Sequence, residues 1–141
     1  MTRDQIQALI DRYLAAWQRR DVPALVDCYH TDCEIISPMF RTVRGRSEVE
    51  ASFQDLFLAF IDFEIVVDDL VVDSTGGRVA LIMTTHATQH GEIFGLPASG
   101  RRIELHQVFA FHLKSDQIRS ERRLYDYTGM LIQLGVLKAE A

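Results

Sequence analysis

The chain has 141 residues, 48% hydrophobic and 25% charged, which is ordinary composition for one globular domain over 1–141 with no repeat and no low-complexity portion. Its net charge of −5, with 20 acidic residues spread along the chain, excludes the basic footprint that nucleic acid binding requires. No apolar run approaches the roughly 18 to 20 residues of a spanning helix, so the chain reads as a soluble cytoplasmic protein with neither nucleic acid nor membrane among its partners.

Thr2 to Gln18 carries Ile6, Leu9, Ile10, Tyr13, Leu14 and Trp17 at three- and four-residue spacings, which predicts an amphipathic helix capped by Thr2. Arg19-Arg20-Asp21 ends the pattern, and Asp21-Val-Pro23 opens a second helix with a cap and an early proline, carrying Leu25, Val26 and Tyr29. Cys28 falls late in this helix and Cys33 at the start of a strand, so one possible pair makes no disulfide framework. Together with His30, these cysteines fall short of the four ligands usual for zinc, and no metal is expected. Both read as small buried side chains, and His30 as a helix-end residue.

Glu34 to Pro38 is strand-like. Gly45-Arg-Ser47 then offers a capping serine before Val49, Phe53, Leu56, Phe57 and Phe60, a third helix rich in aromatic side chains. Beyond it the period changes to two. Phe63 to Asp73, Arg78 to His90, Arg102 to Leu113 and Ile118 to Tyr125 read as strands of an antiparallel meander. Asp126 caps a last turn from Thr128 to Leu134. Helices followed by such strands predict an α+β fold with the helices on one face of the sheet.

Two segments carry a family resemblance: Glu92-Ile-Phe-Gly-Leu-Pro-Ala-Ser-Gly-Arg-Arg-Ile-Glu-Leu, and Tyr125-Asp126 closing with Gln133-Leu134-Gly135. They resemble the SnoaL-like polyketide cyclases. The first third is similar to the ketosteroid isomerase branch of the same nuclear-transport-factor-like superfamily, through Arg12-Tyr13-Leu14, Asp21, Leu25-Val26, Tyr29, Asp32 and Pro38. The resemblance implies a cone in which a curved antiparallel sheet wraps the N-terminal helix and encloses a pocket. It also implies a homodimer and a ligand that is a small hydrophobic molecule, with no cofactor.

The resemblance further shows what has changed. Arg123 stands where the cyclases carry an acid/base aspartate, and Phe109 where they carry a histidine. Ser37 precedes Pro38 where the isomerases place a catalytic aspartate, and Phe109 replaces their acidic oxyanion donor. Limonene-epoxide hydrolases also align an aspartate to Arg123, with an Arg and Asp pair near Gln89 and Gly91. Only Tyr13 matches, at the position of a phenolic donor.

Strand parity supplies the other candidates. Leu105, Gln107, Phe109 and Phe111 share the face expected inside the cone; Arg119, Glu121, Arg123 and Tyr125 share a face of the last strand, and the resemblance implies that position 123 lies inside the pocket. Arg123 requires an anionic neighbour, either a ligand or Glu121. Tyr13 either donates to a ligand oxygen or is a satisfied core tyrosine. Glu121 is the first candidate base and His86 the second, although His86 and His90 lie opposite the Leu81, Met83, Thr85 and Ala87 face. Trp17, Phe53, Phe57, Gln107, Phe109 and Tyr125 are the expected ligand contacts. The expectation is a cofactor-free isomerase, cyclase or dehydratase acting on a carbonyl-bearing or anionic ring compound through Tyr13, Arg123, Glu121 and His86, and a noncatalytic binding module is the competing class.

Overall fold

The computed structural model describes residues 1–138. In chain order the elements are α1 (Arg3–Arg19), α2 (Val22–Asp27), β1 (Tyr29–Ile36), β2 (Val43–Arg44), α3 (Gly45–Ala59), β3 (Glu64–Asp73), β4 (Arg78–Thr88), β5 (Arg102–Lys114), β6 (Gln117–Leu124) and α4 (Tyr127–Gln133). This is the expected α+β order of helices and sheet. The strands form one sheet in the order β2-β1-β6-β5-β4-β3. β5 pairs antiparallel with both β4 and β6, as period two predicts.

Three caps act as the sequence indicates. Thr2 accepts from the Gln5 N–H while the Gln5 side chain returns to the Thr2 N–H, a reciprocal box that satisfies two otherwise orphaned donors. Asp21 accepts from the Ala24 N–H above Pro23. Asp126 does the same for α4 through the Gly129 N–H.

Four local expectations are corrected. Ser47 lies inside α3, which starts at Gly45 with Arg44 as an N-cap that makes no side-chain cap bond. Gly45 takes φ +79, a left-handed turn open to glycine, and Glu48 supplies the compensating bond to the Arg44 N–H. The first strand begins at Tyr29 rather than Glu34, so Tyr29 and His30 leave the helix, which ends after six residues. That strand makes the sheet mixed, because β1 runs parallel to β6 while the other pairs are antiparallel. Finally, β4 ends at Thr88, and the His90 N–H turns away to bond the Ala59 carbonyl at the end of α3.

The inner face of the sheet meets two apolar clusters. α1 buries Ile6, Leu9, Ile10, Tyr13 and Trp17 against Val79, Leu81, Phe109, Phe111 and Ile118. A smaller group joins Phe60 and Ala59 of α3 to Ala87, Ile103, Leu105 and Met130. A fully buried Leu, Ile or Phe contributes about 1.5–3 kcal/mol over its exposed form, so the larger cluster carries most of the hydrophobic stabilisation.

Candidate functional site

The gap between the two clusters is a cavity. Its walls come from both: Trp17, Met83 and Phe109 from the first, Phe60, Leu105 and Met130 from the second. It takes in about 690 Å³ of space between atoms when its open mouth is counted, of which only about 60 Å³ admits the centre of a water molecule. So tight a slot between the two clusters suits a small molecule.

Strand alternation places the polar lining. Met83, Thr85, Gln107 and Phe109 project inward from β4 and β5, and Arg123 from β6 opposite Phe109. Thr85 donates to Gln107 Oε1 at 2.9 Å, leaving the Gln107 amide N–H groups as donors for anything in the slot. Tyr125 closes one side, its hydroxyl 3.3 Å from Ser37 Oγ, and burial raises its pKa above the ordinary phenol value.

Arg123 is 6% exposed and Glu121 0%. The guanidinium donates through Nε to Glu121 Oε2 at 2.6 Å. Tyr13 and Tyr29 donate their hydroxyls to Glu121 Oε1 at 2.9 and 2.6 Å. All three contacts of this carboxylate are therefore donors, which suits an anion and leaves it no outlet to the cavity. Burial, and then the Glu121 charge, push both phenols well above their ordinary pKa. Burial opposes the Arg123 charge, but Glu121 and the two tyrosines more than offset it, so its pKa rises.

The guanidinium carbon lies 5.3, 5.4 and 5.2 Å from the ring centres of Trp17, Phe53 and Phe109, a cation held among aromatic faces. Its Nη2 is buried without a hydrogen-bond partner among the described residues. The Trp17 indole N–H lies beside the Tyr13 hydroxyl without meeting hydrogen-bond geometry. Both orphans are donors, and an unsatisfied buried donor costs about 1–3 kcal/mol.

The expected residues thus divide. Tyr13, Trp17, Gln107, Phe109, Arg123 and Tyr125 line one cavity. Glu121 sits behind Arg123, held by three donors, and is not among the residues that line the cavity. His86 points from the outer face of β4 and pairs with Glu104 at 2.8 Å, because its parity is opposite to Thr85. Phe53 and Phe57 pack behind Trp17, with ring centres 5.1 and 5.6 Å away, and do not reach the lining. Leu56 of α3 and Phe60, the extended residue just past its end, reach it instead. Arg119 leaves the inner face because a bulge between Ile118 and Ser120 shifts the parity, and it pairs with Asp32 at 3.2 Å. Met39 and Phe40 line the cavity from a loop that no periodic signal could reveal.

A family model described as SnoaL-like polyketide cyclase matches residues 7–134. The chain belongs to this family. TsrD from Streptomyces laurentii is similar at 29% identity and a TM-score of 0.84, covering 97% of this chain and 99% of its own. AclR, a candidate hydroxylase from Streptomyces galilaeus, gives 23% identity and 0.83 over 99% and 91%. A candidate SnoaL-like polyketide cyclase from Jannaschia sp. CCS1 gives 21% and 0.85 over 95% and 94%. The two lower identities establish the shared cone and nothing about the reaction. Among curated proteins none matches. No described helix of this SnoaL-like protein is long and apolar enough to cross a membrane.

Proposed function

We propose that the cavity binds a small, flat, largely hydrophobic ring compound and holds a carbonyl oxygen of that ring with Arg123 and Gln107. One observation carries this reading: the uncommitted polar groups of an otherwise apolar lining are N–H donors, and among the described residues the lining contains no carboxylate, imidazole or ammonium group. Donors call for an acceptor on the ligand. Because Glu121 already balances the Arg123 charge, a ligand carboxylate would add an unmatched negative charge, so a neutral carbonyl fits better than an acid.

The same lining argues against proton abstraction by a side chain. A general base must lie within hydrogen-bond reach of the proton it removes, Tyr13 is committed to Glu121, and Glu121 is sealed off. The favoured reading is a noncatalytic binding module. A cofactor-free cyclase or isomerase is the second reading, and one feature favours it: donors that hold a ketone oxygen hold its enolate more strongly. A substrate acidic enough to ionise in water could therefore be activated without a base from the protein.

Trp17 is the sole tryptophan of the sequence and lines the cavity, so its fluorescence reports occupancy. Titration with hydroxyanthraquinones and flat polyketide-like ketones should quench it, and Gln107→Leu should weaken binding about three- to tenfold, the worth of one hydrogen bond. No response to any such ring compound would refute the reading. Incubating a bound ketone in D2O separates the two classes: protein-dependent deuterium uptake beside the carbonyl means catalysis, and its absence means binding alone.

We also propose that the outer sheet face pairs with a second copy of the chain. Its support is a row of outward apolar side chains, Ile82, Val108 and Leu124, in direct cross-strand register.

A further inference from the structure

The Gly91–Gly100 segment contains a miniature hairpin. Ile93 and Leu96 exchange both backbone hydrogen bonds, at 3.1 and 2.8 Å, around Phe94 and Gly95. Both turn residues have positive φ, 51° and 78°. A two-residue turn with this pair of signs favours Asn, Asp or Gly at its first position, where the left-handed conformation is least costly. An aromatic residue there breaks the local rule. Such violations persist where the surroundings hold them and point to function.

The base of the hairpin is firmly held. Ile93 is buried in the smaller cluster. Gln89, 1% exposed, donates through Nε2 to the carbonyls of Gly91, Leu96 and Pro97. The tip is different: Phe94 is 49% exposed, and its ring stacks on Phe40, centres 5.5 Å apart and planes 29° from parallel. Phe40 lines the cavity and packs against the larger cluster. It belongs to a bend at 38–41 between β1 and β2, outside both strands.

The stacked pair therefore ties the hairpin, seated on the smaller cluster, to a bend whose Met39 packs on the smaller cluster and whose Phe40 packs on the larger, and Phe40 stands between the cavity and the half-exposed Phe94 ring. We propose that Phe40 and Phe94 form the gate of the cavity: Phe94 is a fixed post on its pinned hairpin, and Phe40 is the leaf that leaves it to admit a ligand. As a selector of flat ring compounds the gate rests on the binding reading above, since an entering ring can replace the lost stacking partner of Phe40 while it passes. As a gate on the cavity it stands independently.

The test uses acrylamide quenching of Trp17, which needs no ligand because Trp17 is 5% exposed and lies inside. Phe94→Asn removes the ring and supplies a residue that tolerates the left-handed turn. The expected result is a rise of about three- to tenfold in the quenching constant, the shift in open population from losing one aromatic pair, with a melting temperature equal to or above that of the parent. Phe40→Leu, which keeps the wall apolar, should raise quenching likewise. Unchanged quenching in folded Phe94→Asn overturns the gate, and if that variant melts early, wild-type quenching in Phe40→Leu overturns it alone. Quenching that rises in a protein whose Trp17 answers no ring compound keeps the gate and discards the proposed ligand.

Discussion

Arg123 and Glu121 stabilise each other at a depth where neither could remain alone. Removing one partner of a buried pair strands the other charge and typically costs about 3–5 kcal/mol, and here Glu121 would retain only Tyr13 and Tyr29. Arg123→Leu should therefore lower unfolding free energy by about 3–5 kcal/mol in denaturant titration, whereas Arg123→Leu combined with Glu121→Gln should recover about half or more of that loss. Equal losses in the single and double variants would show that Arg123 stabilises the fold through its aromatic contacts and not through the charge pair. The sequence disclosed that a cation facing an apolar cone needs an anion, and it left Glu121 and a ligand both open. Only the three converging donors decide for Glu121, because side-chain convergence across 108 and 92 residues of chain leaves no mark in local pattern.

At the scale of elements, period two was sufficient to place β3, β4, β5 and β6 within a residue or two and to put Gln107 and Phe109 on the inward face, while the family resemblance, not the period, turned Arg123 inward. It failed where backbone geometry intervenes. The bulge at Arg119 reverses parity, and helical spacing groups Phe60 with Phe53 and Phe57 without showing that the chain leaves the helix at Phe60, so that Phe60 and Leu56 face the cavity while Phe53 and Phe57 do not. Loop chemistry was equally silent about Asp62, which ties the α3–β3 connection to β4 by accepting from the Thr88 N–H at 2.6 Å, the Thr88 hydroxyl at 2.7 Å and Arg102 at 2.9 Å. Burial works against this carboxylate, but the Thr88 bonds and Arg102 outweigh it and hold its pKa below the usual carboxylate value. A depressed folded pKa means that the tie contributes fully above the unfolded value of about 4 and is lost as pH falls through the folded one. Asp62→Asn should thus cost on the order of 1 kcal/mol at pH 7, kept small by solvent screening of the exposed ion pair. Parent and variant should converge in melting temperature below the folded pKa of Asp62, and a constant difference down to strongly acid pH would assign the loss to packing.

For the whole molecule, the curved sheet has two unlike faces. The inner one is filled by α1 and α3 and carries the cavity, while the outer one shows Val66, Val71 and Leu124 at 54%, 53% and 51% exposure. Cross-strand register puts Ile82 beside Val108 and Val108 beside Leu124, with Ala80 and Ala110 forming the adjacent row. Around this apolar strip stand both charge signs, Arg78 and Arg122 with Asp73 and Glu34 bordering a common groove. A surface with apolar centre and mixed-charge rim is self-complementary about a twofold axis, since each cation can meet an acid of the other copy. Multi-angle light scattering should return twice the monomer mass of 16.1 kDa at micromolar concentration, an interface that should bury about 1,000 Å² or more in total. Val108→Lys places an ammonium group at the centre of the strip, where a second lysine faces it across the axis, and should give a folded monomer. A parent already monomeric at that concentration, or a Val108→Lys protein that remains dimeric, would mean that the outer face is not where copies of this chain meet.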